Sequence, residues 1–450
     1  MSRRLARTAL APALALALAL APRPAAAAEP EAPAPVPAPP PTAPAAGHTL
    51  SLAEALERFR HQNLELAAAR FDVSAARADA LGAGLYANPT LSATGAFLVH
   101  GIPSGGQQEL YLTVTQPAPI AGQVGLRRDA AQGFATAAER EFAAAAWQLA
   151  SDVRLAYLEL QIAQAKLALA AAATRDLDRV QAIIAERVTA GANPAYDRVR
   201  VGVEQSGARA RQTDAEAELF AARAALAQTI GRDVEPATLV AEDLGGEPAE
   251  LPADARALVT AALARRAEVA AAKARATAGD LRTEAAKRAV VPTPDVSLGY
   301  SHFFRIPNDP GPKDGGAVTV GLSVPLPLFD RGQGTVGRST AEAEAHRLRA
   351  RQVEVTVARD VEVAYATAAA RVAAWRRFRD TVAGDVERMR QMAEVGYREG
   401  RGSVLELLDA YGSYVVARSR AVELRGAALR ATQQLARAVG PASAGDVPRL

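Results

Sequence analysis

The second half of this chain repeats the sequence pattern of the first half at an offset near 208 residues. This internal repeat limits the possible folds more than any other feature. The segment Val153-Arg-Leu-Ala-Tyr157 returns as Val361-Glu-Val-Ala-Tyr365. Other matches follow in the same order, namely Pro117 and Pro119 with Pro325 and Pro327, and Gly191 with Gly400. Ordered agreement over this length indicates gene duplication. The 450 residues therefore predict one architecture built from two copies rather than three ordinary domains.

Each copy has the same predicted order of elements. An opening helix of about 37 residues runs into proline, two short alternating segments follow, and a very long helix leads through a glycine-containing break to a return helix. The predicted opening helices are 51–87 and 254–290, the long helices 123–190 and 333–399, and the return helices 195–230 and 403–439. The first copy covers 48–245 and the second 246–440, which leaves a tail at 441–450. At ~1.5 Å per residue a long helix reaches about 100 Å, a length that no globular core requires.

The N-terminus has the pattern of a targeting segment. Three arginines precede an uncharged run from Ala9 to Ala21, and the small residues from Ala25 to Ala28 offer a cleavage site. This predicts a secretory signal peptide over 1–28 and an extended Pro/Ala-rich linker over 29–47. Without the four arginines of the leader, 48 basic and 49 acidic residues remain, so there is no basic signature for nucleic acid. No later segment is apolar enough for a transmembrane helix, and we expect any membrane entry to use β-structure.

Four short segments have the alternation of β-strands. They form two pairs, 90–99 with 109–116 and 295–304 with 317–324. Apolar side chains alternate with small or polar ones, as Val318, Val320 and Leu322 do with their neighbours. The pattern is typical of membrane strands of about 9–11 residues, although a soluble hairpin packed on helices would also show it. Four strands cannot close a barrel in lipid, so membrane strands would require oligomerisation, and three chains would supply twelve strands.

The composition argues against an enzyme. The chain has no cysteine, no glycine-rich phosphate loop after a strand and no cluster of histidine, acid and nucleophile. The histidines lack the spacing of a metal site, and we interpret His100 and His302, at equivalent strand ends, as surface residues. Met389 and Met392 share a helical face, where packing is favoured over soft-metal ligation. We therefore expect no catalytic residue, no metal site and no cofactor.

The duplicated plan resembles the TolC-type outer-membrane efflux channels over residues 52–440. Within that family, the stretches TQPAPIAGQVGLRR at 115–128 and VGLSVPLPLFDRGQG at 320–334 look most like the CzcC branch. Members of that branch are the outer-membrane components of heavy-metal efflux systems. The resemblance thus implies an efflux channel that exports divalent heavy-metal cations.

The resemblance also implies an assembly. The fold would be that of an α+β membrane protein, a homotrimer in which four strands per chain form a twelve-stranded outer-membrane β-barrel continuous with a long-helix periplasmic α-barrel. Its partners would be a periplasmic adaptor (a membrane fusion protein) and an inner-membrane pump of the RND (resistance, nodulation and division) class. The chain lacks the lipidated cysteine of some relatives, so anchoring would rest on the barrel in outer-membrane lipid.

The breaks between the long and return helices carry the site residues that the resemblance implies. Glu406 and Asp409, on one helical face, match carboxylates that ring the pore, and Asp197 is the counterpart of Glu406 in the first copy. Tyr397 matches a residue that helps hold the entrance shut, and Arg401 stands one place earlier than the arginine of the family. The turn residues expected to meet the adaptor are Gly191, Asn193, Pro194, Gly400, Gly402 and Ser403. The same carboxylates would also suit a solvated helix face, and the glycines a turn without a partner.

Two other functions fit the pattern less fully. A TolC-like duct for drugs or for type I protein secretion shares the duplicated plan. A soluble periplasmic coiled-coil adaptor or scaffold shares the long helices. An adaptor, however, usually carries one helical hairpin between β-domains, whereas this chain has two hairpins and two short strand pairs.

Overall fold

The computed structural model of the chain describes residues 49–97, 108–191, 194–304 and 315–443, which form nine α-helices and four β-strands. The helices of the first half are α1 (Leu52–Gln62), α2 (Leu64–Ala83), α3 (Gln123–Thr189) and α4 (Ala195–Ile230). Those of the second half are α5 (Ala255–Arg265), α6 (Ala267–Ala289), α7 (Gln333–Thr381), α8 (Ala383–Arg398) and α9 (Val404–Val439). The strands are β1 (Thr90–Phe97), β2 (Gln108–Pro117), β3 (Asp295–Phe304) and β4 (Gly315–Ser323). The predicted signal peptide and linker lie outside the described residues.

The opening helix of the first half is two helices, so the prediction of one continuous helix is wrong. Asn63, between α1 and α2, has an extended backbone with φ −75° and ψ 121°. Its side-chain oxygen accepts a hydrogen bond from the Leu66 amide at 2.8 Å, and its side-chain amide donates to the Thr229 carbonyl at 2.9 Å. The first bond caps α2, and the second holds the break against the end of α4.

The second half has a matching break between α5 and α6, so the predicted helix over 254–290 is also wrong. Arg266 at the break is extended, with φ −67° and ψ 122°. Its guanidinium bonds to Glu268 at 2.5 Å and to Asp360, on α7, at 3.2 Å. As at Asn63, an extended residue is held in place by a partner that is distant in sequence.

The long helices differ between the halves. As predicted, α3 is continuous over 67 residues, but its predicted counterpart is divided into α7 and α8 at Val382, where φ is −112°. Just before this break the Thr381 hydroxyl donates to the Arg377 carbonyl at 2.7 Å, a bond that bends helices. Gly384 then adds a residue of low helix propensity. None of the helices in the described ranges is both long enough and apolar enough to cross a membrane.

The strands form one antiparallel sheet in the order β1-β2-β3-β4, in which β2 and β3 join the two halves. Its register aligns apolar residues in one row across all four strands and small or hydroxyl-bearing residues in the next. The two rows are Leu91, Val114, Leu298 and Val320, and Thr90, Thr115, Ser297 and Gly321. The predicted alternation is therefore confirmed. The apolar row is 44% to 78% exposed in the single chain.

The two halves meet along α3. This helix packs against both α4 and α9, and α9 packs in turn against α8. One large hydrophobic cluster gathers mainly residues of α1 to α4, and a second, near the helix turns, draws on α3, α4, α8 and α9. The second cluster consists of Leu177, Val180, Ile184, Val201, Ala208, Tyr397, Val404, Leu407, Leu408 and Tyr411. Residues from both halves therefore share one core beside the turns.

Candidate functional site at the helix turns

The first turn lies between α3 and α4. Gly191 has a left-handed backbone with φ +76°, a conformation that favours glycine, and it donates its amide to the Val188 carbonyl at 3.1 Å. Pro194, the residue before α4, has an extended backbone. Proline suits this position because it has no amide hydrogen that would need a partner at the start of the helix. Asn193 lies outside the described residues.

The second turn, between α8 and α9, is held by backbone hydrogen bonds. Gly400 is left-handed, with φ +73°. Its amide donates to the Tyr397 carbonyl at 3.1 Å, and the Arg401 amide donates to the Gly396 carbonyl at 2.9 Å. These two bonds form a Schellman motif, which satisfies the last carbonyls of α8. Gly402 is confined, because an added Cβ would lie 3.2 Å from the backbone of the preceding turn of α8.

Ser403 and Glu406 together cap α9. Ser403 Oγ accepts a hydrogen bond from the Glu406 amide at 3.2 Å, and Glu406 Oε2 accepts one from the Ser403 amide at 2.9 Å. This capping box gives Glu406 a structural role that our sequence analysis missed, although the Ser-Val-Leu-Glu spacing is the usual signal for it. Glu406 remains exposed, as does Asp409 further along α9. Asp197 is partly exposed in the first turn of α4.

An arginine that the sequence analysis did not single out joins the two turns. Arg187 on α3 places its guanidinium carbon 4.7 Å from the centre of the Tyr397 ring on α8, a cation–π contact. Tyr397 is 4% exposed, and its hydroxyl has no hydrogen-bond partner among the described residues. Arg187 and Tyr397 lie four and three residues before their respective turn glycines. The contact therefore sets the two turns at nearly the same height along the helices.

The structure does not bring Arg401 to Tyr397. The Arg401 guanidinium forms an ion pair with Glu399 in the same turn, and its side chain is 76% exposed. The two residues that the family resemblance associates with closure thus have different partners, since Tyr397 lies beneath Arg187. The one-residue shift of the arginine in the sequence was the signal for this difference.

A second arginine on α8 lies at the centre of a polar cluster above the turn. Arg390 bonds to Glu387 at 2.7 Å and to Glu394 at 3.1 Å. Its guanidinium carbon also lies 5.7 Å from the centre of the Tyr411 ring and 5.1 Å from that of Tyr414. The hydrogen bond between Arg390 and Glu387 lowers the pKa of the carboxyl and raises that of the guanidinium. Burial raises the pKa of the Tyr411 hydroxyl. The cluster therefore ties α8 to α9.

Both arginines line a cleft of 120 Å³ between α3, α8 and α9. Its charged lining residues are Asp176, Arg179, Arg187, Arg390, Glu394 and Arg398. Four arginines against two acids give the cleft an excess of positive charge. Among the residues that the structure describes, no three His, Asp or Glu side chains come together as a metal site. Charged side chains of α3, from the first half, and of α8, from the second half, therefore face each other across this cleft.

Together these features define a class of protein. Long paired helices lead from a sheet with an exposed apolar face to two turns of matched height, and charged side chains surround the turns. Such an arrangement can form a conduit or a scaffold in a bacterial envelope.

The comparisons with known proteins decide between these two. The chain belongs to the outer membrane efflux protein family, whose family model matches residues 55–232 and 258–441. It is therefore a transport protein rather than an enzyme or an adaptor, and it resides in the outer membrane. The predicted TolC-type family and fold are confirmed.

Individual relatives agree with this assignment. The cobalt-zinc-cadmium resistance protein CzcC of Cupriavidus metallidurans is 25% identical over 396 residues, which cover 88% of this chain and 91% of that protein. The pyoverdine export outer membrane protein OpmQ of Pseudomonas putida is 31% identical over 195 residues, 41% of this chain and 39% of that protein. A crystal structure of CusC has a TM-score of 0.70 at 18% identity, covering 86% of this chain and 92% of that one.

Proposed function

We propose that this protein is the outer-membrane channel of a tripartite efflux system that exports divalent heavy-metal cations. The observation that carries the proposal is the likeness to a cobalt-zinc-cadmium resistance protein along nearly the whole length of both chains. The metal is cargo, so a tight metal site is not needed. Tight binding in a channel slows release.

We further propose that the protein works as a homotrimer with a periplasmic adaptor and an inner-membrane RND pump. The sheet supports this assembly, because β1 and β4 are its outer strands and unpaired strand edges are costly in hydrocarbon. Three sheets joined edge to edge would give a twelve-stranded barrel, with the apolar row facing outer-membrane lipid. The inner-membrane pump would supply the energy for transport.

At the periplasmic end, we propose that Glu406, Asp409 and Asp197 ring the entrance. The exposure of the first two and the partial exposure of the third support this placement. A ring of carboxylates concentrates cations through its electric field, without ligation. Tyr397 and Arg401 are proposed to hold the entrance closed, with Tyr397 acting through its contact with Arg187.

Opening is proposed to begin at the turns themselves. The residues proposed to meet an adaptor there are Gly191, Asn193, Pro194, Gly400, Gly402 and Ser403. Docking at both turns would move the return helices α4 and α9 apart and widen the carboxylate ring. The contacts across α3, α8 and α9 would resist this movement until the adaptor binds.

The double substitution Glu406→Gln, Asp409→Asn tests the ring. Glutamine keeps a side-chain acceptor for the Ser403 amide, so the cap survives while the charge is lost. We expect a lower preference for cations over anions in planar bilayers. A control with the same loss of charge, Asp233→Asn with Glu235→Gln in the loop after α4, should leave selectivity unchanged. Equal selectivity of wild type and the Glu406/Asp409 variant would refute the ring.

A second candidate function is a duct for small organic molecules. The observation that favours it is the 31% identity to a pyoverdine export protein, which is confined to 195 residues. Growth of a deletion strain, complemented with this gene or with an empty vector, separates the two functions. The panel contains zinc, cobalt, cadmium, nickel, copper and a set of drugs. Sensitivity restricted to metals supports the first proposal, and sensitivity restricted to drugs overturns the metal assignment while leaving the channel in place.

A further inference from the structure

The four strands carry only two charged side chains, and both are acidic. Glu109 is the second residue of β2, and Asp295 is the first residue of β3. No lysine or arginine occurs in any of the strands. The segments that connect β1 to β2 and β3 to β4, 98–107 and 305–314, contain two basic and two acidic residues in all. These connections therefore add no net charge to that of the two acids.

Both acids lie on the polar face of the sheet. In the register of β2 with β3, Asp295 pairs with Pro117 and Glu109 pairs with Phe303. Pro117 and Glu109 are each an even number of residues from Thr115, which belongs to the row of small and hydroxyl-bearing residues. Since successive residues of a strand point to opposite faces, the two carboxylates share the face of Thr115. The apolar face of the sheet has no charged side chain at neutral pH.

Neither acid is neutralised by a basic side chain within the part of the chain that the structure describes. Glu109 accepts a hydrogen bond from the hydroxyl of Tyr111, which lies two residues along the same face of β2. A hydroxyl donor orients a carboxylate but leaves its charge in place. No ion pair between described residues includes Glu109 or Asp295. The polar face of the sheet therefore carries two uncompensated negative charges.

The two acids lie at opposite ends of the sheet. Glu109 precedes Pro117, the partner of Asp295, by eight residues. At ~3.4 Å per residue this separation is about 27 Å along the strand, and with a strand tilt of ~40° it is about 20 Å along a barrel axis. The Debye length at physiological ionic strength is ~8 Å. The field of each carboxylate is therefore screened before it reaches the other, so the two act separately.

We propose that Glu109 and Asp295 give the sheet end of the channel its own preference for cations, independent of the carboxylates at the helix turns. The inference rests on the homotrimer of the proposed function, in which the polar face lines the pore and each acid is present three times. Three negative charges around a pore attract cations and repel anions through their field, without ligation. A divalent cation interacts with this field twice as strongly as K⁺. Exported cations would pass Asp295, where the helices join the sheet, and then Glu109 at the far end.

Reversal potentials in planar bilayers under a KCl gradient test the proposal. Glu109→Gln and Asp295→Asn should each lower the permeability ratio of K⁺ to Cl⁻. A potential of about one kT raises the cation concentration and lowers the anion concentration e-fold each, so loss of one set of charges should lower the ratio by up to roughly sevenfold. The matched controls are Glu235→Gln and Asp233→Asn, two exposed acids in the loop after α4. Both controls should keep the wild-type ratio.

The separation of the two acids makes a second, quantitative prediction. In salt of 0.15 M the double variant Glu109→Gln, Asp295→Asn should lower the ratio by the product of the two single factors. In 1 M salt, where the Debye length is ~3 Å, the variants should differ less from wild type. If a neutral variant does not fold, judged by circular dichroism, Thr94→Lys gives an independent test. Thr94 pairs with Tyr111 on the polar face, and a positive charge there should also lower the ratio.

The result that would overturn the inference is an unchanged ratio in both sheet variants. If selectivity were then lost in the Glu406→Gln, Asp409→Asn variant alone, the helix turns would account for all of it and the proposed entrance ring would stand. Selectivity that is lost in the sheet variants and kept in the Glu406/Asp409 variant would support the inference and refute the entrance ring. Lower ratios in the sheet variants together with a drug-only growth phenotype would overturn the metal proposal and leave the inference intact.

Discussion

Arg187 and Tyr397 are 210 residues apart in the sequence, yet the guanidinium carbon of one lies 4.7 Å from the ring centre of the other. The contact joins the end of α3 to the end of α8 directly above both turns. It is made by the tyrosine ring, while the buried hydroxyl has no hydrogen-bond partner among the described residues.

This geometry predicts that the Tyr397 ring contributes to stability and that its hydroxyl does not. Tyr397→Phe should leave thermal stability unchanged or slightly higher, because burial of an unsatisfied hydroxyl costs about 1–3 kcal/mol. Arg187→Gln should lower stability by roughly 0.5–1 kcal/mol through loss of the cation–π contact. It should also raise single-channel conductance in planar bilayers if the contact helps to close the entrance. A Tyr397→Phe variant as permeable as Arg187→Gln would contradict this assignment.

The turn glycines should be intolerant of alanine. Gly191 and Gly400 have φ values of +76° and +73°, and a left-handed backbone costs a residue with a Cβ roughly 1–2 kcal/mol. Gly400→Ala should therefore lower the melting temperature. Gly412→Ala is the matched control, because this exposed helical glycine has open space around it, and alanine there should stabilise α9 by up to about 1 kcal/mol. Equal melting temperatures for the two variants would argue against the left-handed turn.

The capping box predicts that the Ser403 side chain stabilises the start of α9. Ser403→Ala should destabilise the start of α9 by about 1 kcal/mol, since it removes the side-chain acceptor for the Glu406 amide. The exposed Ser413, in the middle of the same helix, provides the control, and Ser413→Ala should have little effect. Hydrogen exchange of the peptide 403–412, at the start of α9, would measure the effect of each of the two substitutions on this part of the helix. Unchanged exchange in Ser403→Ala would mean that the cap does not form in solution.

The cluster around Arg390 should make the stability of the helix ends depend on pH. The pKa of Glu387 is lower in the folded protein than in the unfolded chain. The contribution of Glu387 to the free energy of unfolding is therefore complete above the pKa of the unfolded chain, about 4.3, and is lost as pH falls through the lower pKa of the folded protein. The melting temperature should therefore fall less between pH 6 and pH 3 in Glu387→Gln than in wild type. A double-mutant cycle with Arg390→Gln should assign this difference to the pair. An identical fall in all four proteins would exclude the ion pair as its source.

Substitutions of Asn63 should destabilise the protein to different degrees, according to which hydrogen bonds they remove. Asn63→Ser keeps an acceptor for the Leu66 amide and loses the donor to the Thr229 carbonyl, whereas Asn63→Ala loses both. We expect the alanine variant to be destabilised by about 2–3 kcal/mol and the serine variant by less. Denaturant titration of the full chain would test the order. Equal losses of stability in the two variants would show that the bond to α4, rather than the cap, dominates at this break.

Much of the candidate site could be predicted from local sequence. Gly191 and Gly400 are predictable as turns because a helix end followed by glycine is encoded within a few residues. The roles of Arg187 and Arg390 are not predictable in this way, since each depends on a helix that is distant in sequence or on a tyrosine more than twenty residues away. Nothing in the spacing of Arg187 distinguishes it from the many other arginines of α3.

Local sequence is enough to predict the duplicated order of helices and strands, the 67-residue helix α3 and the alternating faces of the sheet, because periodicity and turn chemistry are local properties of the chain. Tertiary contacts fix the breaks at Asn63 and Arg266, the pairing of β2 with β3, and which helix faces stay open. Asn63 caps α2 locally, but its side chain also donates to the Thr229 carbonyl, 166 residues away, and this second contact fixes the break against α4. Contacts of this kind form only when distant segments of the chain pack together, so no local pattern predicts them.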